Sequence, residues 1–220
     1  MRVPDQLEPE SASALDSLAA GTKDIELRLM ELRHRSKNML SIATAIVNQT
    51  LQGAITLDEA REVLTARLAA MGSAFDLLVG KELEVASFRD LAQGTLGHFG
   101  HAAARIIMAG TELVVGPNAA LHLALALHEL GTNALKYGAL STQTGTVHLN
   151  WGASPANGEL IELEWTEVGG PAVAAPARTG FGSRLTSSLV PRRLRGQATI
   201  SYPREGLCWR MTAPVKALTQ

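Results

Sequence analysis

Apolar positions along residues 11–80 recur at helical spacing. Leu15, Leu18, Ile25, Leu29, Leu32, Met39, Ala43, Ile46 and Thr50 fall on one side of a helix turning about 100° per residue. In a second run, Leu57, Ala60, Leu64, Leu68, Met71, Phe75 and Leu78 alternate steps of three and four, a heptad seam. Between them Gly53 can stop the first helix, and "TLDE" offers a capping box with Thr56 at the N-cap and Glu59 at N3. The pattern predicts an antiparallel helical hairpin over residues 11–81. A hairpin alone has little core, so a four-helix bundle formed by dimerisation is the expected way to cover its seam. Residues 1–10 read as a flexible tail.

From residue 82 onward the pattern changes. "SFRDLAQGTLGHF" reads as a helix, and "RIIMAG" and "ELVVG" as short strands around a turn. "PNAALHLALALHELGTNALKYG" reads as a helix with Gly138 at C′. "GTVHLNWG" and "ELIELEWTE" alternate as strands do, and "ASPANG" joins them as a hairpin turn. "VGGPAVAAPARTGFG" is a long loop, "FGSRLTSSLVPRRLRG" a helix that Pro191 bends or divides, and "QATISYP" and "LCWRMTAPV" two closing strands. This order predicts an α+β sandwich over residues 82–220, with helices on one face of a mixed sheet.

The 220 residues are 46% hydrophobic, enough for a sizeable core, but only 4% aromatic, so aliphatic side chains must fill most of it. A net charge of −1 shows no basic excess of the kind that binds nucleic acid or an anionic membrane. The single cysteine, Cys208, excludes an intrachain disulfide and has no metal-ligand spacing around it. No secretory leader is evident, and no apolar run reaches the roughly 18 residues that a membrane span needs. A soluble cytoplasmic protein is the expectation.

Two regions carry chemistry. In "ELRHRSKNML", residues 31–40, His34 lies nearly opposite the apolar stripe and shares its face with Glu31, Asn38 and Ser41. Arg35 and Lys37 add positive charge, which suits a nucleophile approaching a polyanionic phosphate. The plainer reading of this segment alone is a solvated basic face. In "LALHELGTNALKYGAL", residues 125–140, Glu129 and Asn133 are four apart and project from one face, which Lys136 and Tyr137 continue. An amide oxygen suits Mg²⁺, a carboxylate one turn earlier can orient a metal-bound water or accept a proton, and a Lys one turn later can meet a phosphate. A polar helix rim explains Lys136 well, but Glu129 and Asn133 poorly, because they interrupt an apolar run. Gly169 and Gly170 in "EVGGP", and Gly180 and Gly182 in "GFGSRL", allow close backbone approach to a ligand. Gly180 and Gly182 also precede a helix whose first N–H groups can hold a phosphate. No Walker loop or complete dinucleotide fingerprint occurs.

Taken together, "HRSKN", the N-box-like "LHELGTNALKYG", the G1-like "EWTEVGGP" and the G2-like "GFGSRL" resemble the HWE-type sensor histidine kinases over about residues 20–215. The subgroup's His and Trp-x-Glu correspond to His128, Trp165 and Glu167. The resemblance implies a dimerisation and histidine-phosphotransfer hairpin at 11–81, with His34 as phosphoacceptor, and a Bergerat-type ATP-binding domain at 82–220. It implies that Asn133 holds Mg²⁺, that Glu129 supports the metal or its water, and that Lys136 and Tyr137 flank phosphate and nucleotide. Glu167 stands where other histidine kinases place the Asp that accepts from the adenine amino group. Gly169, Gly170, Gly180 and Gly182 shape the lid and phosphate contacts.

The implied reaction is autophosphorylation of His34 from Mg·ATP, followed by transfer to an Asp of a response-regulator receiver domain. Asn38 is positioned to orient water for phosphatase chemistry. Residues 168–179 are expected to be a lid over nucleotide, with Arg178 reaching a phosphate. The first 20 residues are too few for a sensor domain, so the input is expected from a separate sensor protein or a missing N-terminal one. A histidine phosphotransferase or a response-regulator phosphatase of the same architecture remains the alternative, and a different Bergerat ATPase a further one.

Overall fold

The computed structural model describes residues 21–23, 25–26, 29–30, 33, 36–37, 39–48, 50–51, 56–79, 85–155, 157–172 and 181–219. The chain forms two compact units, Met1–Ile46 and Val47–Gln220. The described residues of the first unit are helical, the longest continuous stretch belonging to α1 (residues 39–48). The Ser41 hydroxyl donates to the Lys37 carbonyl at 2.9 Å, and Lys37, Leu40 and Ser41 are all exposed.

In the second unit the helix expected after Thr56 is α2 (Leu57–Val79). The Thr56 carbonyl accepts from Ala60 N–H at 3.0 Å, the first bond of the helix. Then follow β1 (Ala86–Ser87) and α3 (Phe88–Gly97), whose N-cap Ser87 accepts from Asp90 N–H. A 3₁₀ turn at Gly100–Arg105 leads into β2 (Ile106–Gly110), followed by β3 (Val114–Val115) and the long α4 (Pro117–Lys136). Next come β4 (Thr146–Ser154) and β5 (Asn157–Val168). After the loop lie α5 (Phe181–Arg184), a π-helical stretch at Leu185–Leu189, and α6 (Val190–Arg193). Strands β6 (Gln197–Ser201) and β7 (Cys208–Pro214) and the short α7 (Val215–Thr219) close the chain.

Five strands form one mixed sheet in the order β2-β4-β5-β7-β6. Only β2 and β4 run parallel. The α+β reading is therefore correct, and so is the hairpin at "ASPANG". The two strands around residue 111 do not pair with each other: β2 joins the sheet edge, while β3 pairs with β1 in a separate two-stranded ribbon. Pro191 does not break its helix: the helical backbone runs on from Phe181 to Arg193 and widens just before the proline. It has no N–H to give and its ring crowds the preceding turn, and the turns before it widen to π geometry.

Strand alternation sorts the side chains. Leu149, Trp165 and Trp209 lie in one transverse row, and Trp151, Leu163 and Met211 in the next, and all six are buried. The opposite face carries Glu162 and Glu164 against Arg210 and is solvated. On the buried face lies α4, which is core along most of its length. Pro117 begins it, where a missing N–H costs nothing, and Gly116 N–H is tied to the Leu218 carbonyl at 2.7 Å.

The seam of α2 differs from the sequence pattern. Leu57 and Leu68 are exposed, whereas Ala60, Arg67 and Met71 are buried, and the helix packs on α4 and α3. The buried line thus runs through an arginine.

Trp209 is fully buried and its Nε1–H donates to the Thr186 carbonyl at 3.0 Å, which fastens the π-helical stretch to the sheet. Trp209→Ala is expected to lower unfolding stability by about 3–5 kcal/mol, through the cavity it leaves and the lost bond. Urea or guanidinium titration of the whole chain measures this.

Candidate functional site

A cavity of about 340 Å³ opens between α2, α4 and the start of α5. From α4 it receives His128, Glu129, Thr132, Asn133 and Lys136, with Tyr137 at the helix end. These are spaced as one helical stripe, the strip of α4 that the core does not cover. From α2 it receives Glu62, Val63, Ala66 and Arg67, and from α5 Gly182 and Ser183. The predicted residues Glu129, Asn133, Lys136, Tyr137 and Gly182 therefore meet in one place. Arg67 was missed because Leu68 was assigned to the apolar line; the 4-3-4 spacing Ala60, Leu64, Arg67, Met71 was the available signal.

Glu129 is only 6% exposed. Its carboxylate is gripped by the Arg67 guanidinium, Nε–H donating to Oε1 and Nη2–H to Oε2, the latter at 3.0 Å. Arg67 Nη1–H also donates to the Thr50 hydroxyl at 2.8 Å. Gly182 lies directly on this carboxylate, and a β-carbon there would overlap Glu129 Oε2. Beside it, His128 stacks on Phe99 with ring centroids 5.8 Å apart. Burial, more than any neighbouring charge, pushes the His128 pKa down, with Arg67 and His98 adding to the effect and Glu129 opposing it.

Glu167 sits elsewhere. Two residues from Trp165, it shares the inward face of β5 and is 2% exposed. Its Oε2 accepts from Ala139 N–H at 2.8 Å and its Oε1 from Trp165 Nε1–H at 3.2 Å. Burial raises its pKa, while these two bonds hold the rise back. Gly138 is at C′ of α4 as predicted, but with φ −109° it needs no left-handed backbone. What it needs is space, since a β-carbon would overlap the Glu167 carboxylate. Gly170 packs on the Ala139 backbone, and Gly169 has φ +76°. The loop they press against is fastened by Arg105, whose guanidinium donates to the carbonyls of Thr142, Gly145 and Leu140 at 2.7, 2.7 and 3.0 Å. Neither Glu167 nor these two glycines line the cavity. His34, Asn38, Arg178 and Gly180 lie outside the described residues, as do residues 173–179 of the expected lid.

The motifs that the sequence set far apart are thus two linked clusters, one around Glu129 and one around Glu167, at the end of one helix. A family model described as HWE histidine kinase matches residues 31–112. A blue-light-activated histidine kinase of Brucella anthropi is 38% identical over 199 residues, 88% of this chain and 40% of the relative. That of Brucella ovis is 34% identical over 187 residues, 84% of this chain and 38% of the relative. Residues 31–112 belong with the HWE histidine kinase family. The chain spans about two fifths of the length of these curated relatives. Among solved structures, the blue-light-activated histidine kinase EL346 of Erythrobacter litoralis has a similar fold. The TM-score is 0.62 at 19% identity, covering 89% of this chain and 60% of that one. The histidine kinase domain of the same protein gives 0.55 at 14% identity, covering 80% and 95%. Among the described residues, no helix is long and apolar enough to cross a membrane.

The buried histidines set a pH dependence. His122, whose Nδ1 lies 2.7 Å from the Asn118 carbonyl, also has a lowered pKa, from burial first and then Arg193. With folded values below the ordinary 6.5, both histidines stabilise the fold fully above about pH 6.5, and that stability is lost as pH falls through the folded values. Glu167, with its pKa raised, has the opposite slope in the acid range: stability is lost as pH rises through its folded value. His128→Gln should therefore flatten the loss of stability below pH 6.5, as measured by urea midpoints at a series of pH values.

Proposed function

We propose that this chain is an ATP-dependent histidine kinase that phosphorylates His34 and passes the phosphoryl group to an Asp of a response-regulator receiver domain. The observation that carries the reading is the single cavity in which the N-box residues Glu129, Asn133, Lys136 and Tyr137 meet Gly182 of the second glycine box. The donor chemistry fits Mg·ATP. Asn133 brings a hard amide oxygen one turn from the Glu129 carboxylate, Lys136 a point charge for phosphate, and Tyr137 an exposed ring for the nucleotide. Asn133 would hold Mg²⁺, which when bound would neutralise charge on the phosphates.

Glu167 is the residue that selects adenine. Each of its carboxylate oxygens accepts one N–H and keeps a further acceptor position. An acceptor in so dry a setting favours a base with an amino group and rejects one with a carbonyl. Gly169, Gly170, Gly180 and Arg178 belong to the lid between the glycine boxes, with Arg178 reaching a phosphate oxygen.

In the reaction, a neutral imidazole nitrogen of His34 forms a bond to the γ-phosphorus as the bond from phosphorus to the ADP oxygen breaks. ADP leaves, and the ring N–H proton is released. Asn38, one turn after His34, orients water when the receiver domain is dephosphorylated instead. The first helix supports a homodimer, because Ile25 and Leu29 of its apolar stripe are 59% and 54% exposed. The input comes from a sensor segment or a separate sensor protein.

Incubation with Mg²⁺ and γ-labelled ATP should give an acid-labile, base-stable label on the chain. His34→Ala should abolish the label and leave the unfolding free energy within about 0.5 kcal/mol of the parent, as expected for a side chain opposite the apolar stripe. Asn133→Ala should bind ADP at least tenfold more weakly with Mg²⁺ and little differently in EDTA, by calorimetry. Glu167→Ala should weaken ATP and ADP alike, since it reads the base and not the γ-phosphate. Label retained by His34→Ala, or parent-like affinity in either pocket variant, contradicts the reading.

A further inference from the structure

Arg67 lies outside all four motifs that carry the family resemblance, yet it makes a two-point ion pair with Glu129 at the cavity. Arg67 is 7% exposed and Glu129 6%, so water screens neither charge well. The guanidinium meets both carboxylate oxygens, and its remaining edge is held by Thr50. Gly182 closes another side of the carboxylate by direct contact. A carboxylate this enclosed needs one positive partner, and Arg67 fills that role.

We propose that Arg67 and the divalent cation of the bound nucleotide compete for Glu129, so that docking of α2 on α4 and loading of Mg·nucleotide oppose each other. The proposal rests on the reading of this cavity as the Mg·ATP site. The reasoning is electrostatic and steric. A cation held by Asn133 one turn along the same face stands close to Glu129, and therefore close to the guanidinium. Two like charges in a poorly solvated space repel, and with the backbone of Gly182 close against Oε2 the carboxylate has little room for a metal beside the guanidinium. When the metal takes the carboxylate, the guanidinium must leave it.

Arg67 cannot leave alone. Glu62, Val63 and Ala66 on the same turns of α2 form the same cavity wall, so releasing Arg67 loosens that stretch of helix. By reciprocity, whatever pulls α2 from α4 raises the affinity for Mg·nucleotide, and whatever holds α2 down lowers it. Arg67 is in this sense a positioning residue: it keeps Glu129 compensated and the site closed until a metal replaces it.

The test compares ADP binding with Mg²⁺ and with EDTA, by calorimetry, for the parent chain and for Arg67→Met. The methionine fills much of the space but leaves Glu129 without its counter-charge. Arg67→Met should bind Mg·ADP about tenfold more tightly than the parent, and ADP in EDTA no more tightly. Equal or weaker Mg·ADP binding by a folded Arg67→Met overturns the proposal. Should that variant fail to fold, amide hydrogen exchange on the parent decides. Exchange across residues 62–70 should quicken with saturating Mg·ADP relative to ADP in EDTA. Unchanged or slower exchange there, with Mg·ADP bound, overturns the competition while leaving the nucleotide site intact. A parent that binds no Mg·ADP overturns both the competition and the functional reading beneath it.

Discussion

Helix α4 is enclosed on nearly every side, and a helix so placed can show polar groups only along the strip its neighbours leave open. Its Ala119–Leu127 stretch is fully buried, and burial persists at Glu129, Leu130, Gly131 and Ala134. His128, Thr132, Asn133 and Lys136 occupy the remaining strip. The cavity is thus where the core stops covering one helix, and its chemistry is fixed by which residues fall on that strip. Glu129, at the edge between strip and core, must be both buried and compensated. The cost of leaving such a charge unpaired is several kcal/mol. That penalty explains why Arg67 breaks the apolar line of α2, while the room the carboxylate needs explains why Gly182 has no side chain.

A second constraint governs the other cluster. Side chains on a strand alternate, so Trp165 and Glu167 must point the same way once Trp165 enters the core. A carboxylate is thereby carried inward at the end of the sheet, where the Ala139 N–H and the Trp165 indole N–H meet it. Glycines at 138 and 170 make room for the chain around it, and Arg105 fastens the 140–145 carbonyls that keep the loop in place. Both clusters are attached to the last turns of α4, which brings the second half of the chain to one site.

Much of this was legible from residue pattern. Strand alternation located β4, β5, β6 and β7, and helical periodicity with an interrupting Glu and Asn singled out α4 and its polar face. The elements that escaped notice lack a period. The 3₁₀ turns at 100–105 and 139–141 are too short to show one, and α7 is five residues long. The pairing of β3 with β1 depends on contacts between residues almost 30 positions apart, which no local pattern encodes. Arg67 was hidden for a different reason: a charged residue at a core position looks like surface until its buried partner on another helix is known. Gly138 was found at the right position for the wrong reason, because a turn motif and a steric gap both call for glycine.

The central claim is that Asn133 and its neighbours on α4 hold the metal of a bound nucleotide. Replacing Mg²⁺ by paramagnetic Mn²⁺ with a non-hydrolysable ATP analogue, and following backbone amide signals by NMR, tests it most directly. The account predicts that signals from residues 129–136 and 182–183 broaden first and most, with the strongest loss at Asn133, and that excess Mg²⁺ restores them. Broadening centred elsewhere in the fold, with the α4 signals intact, would contradict it.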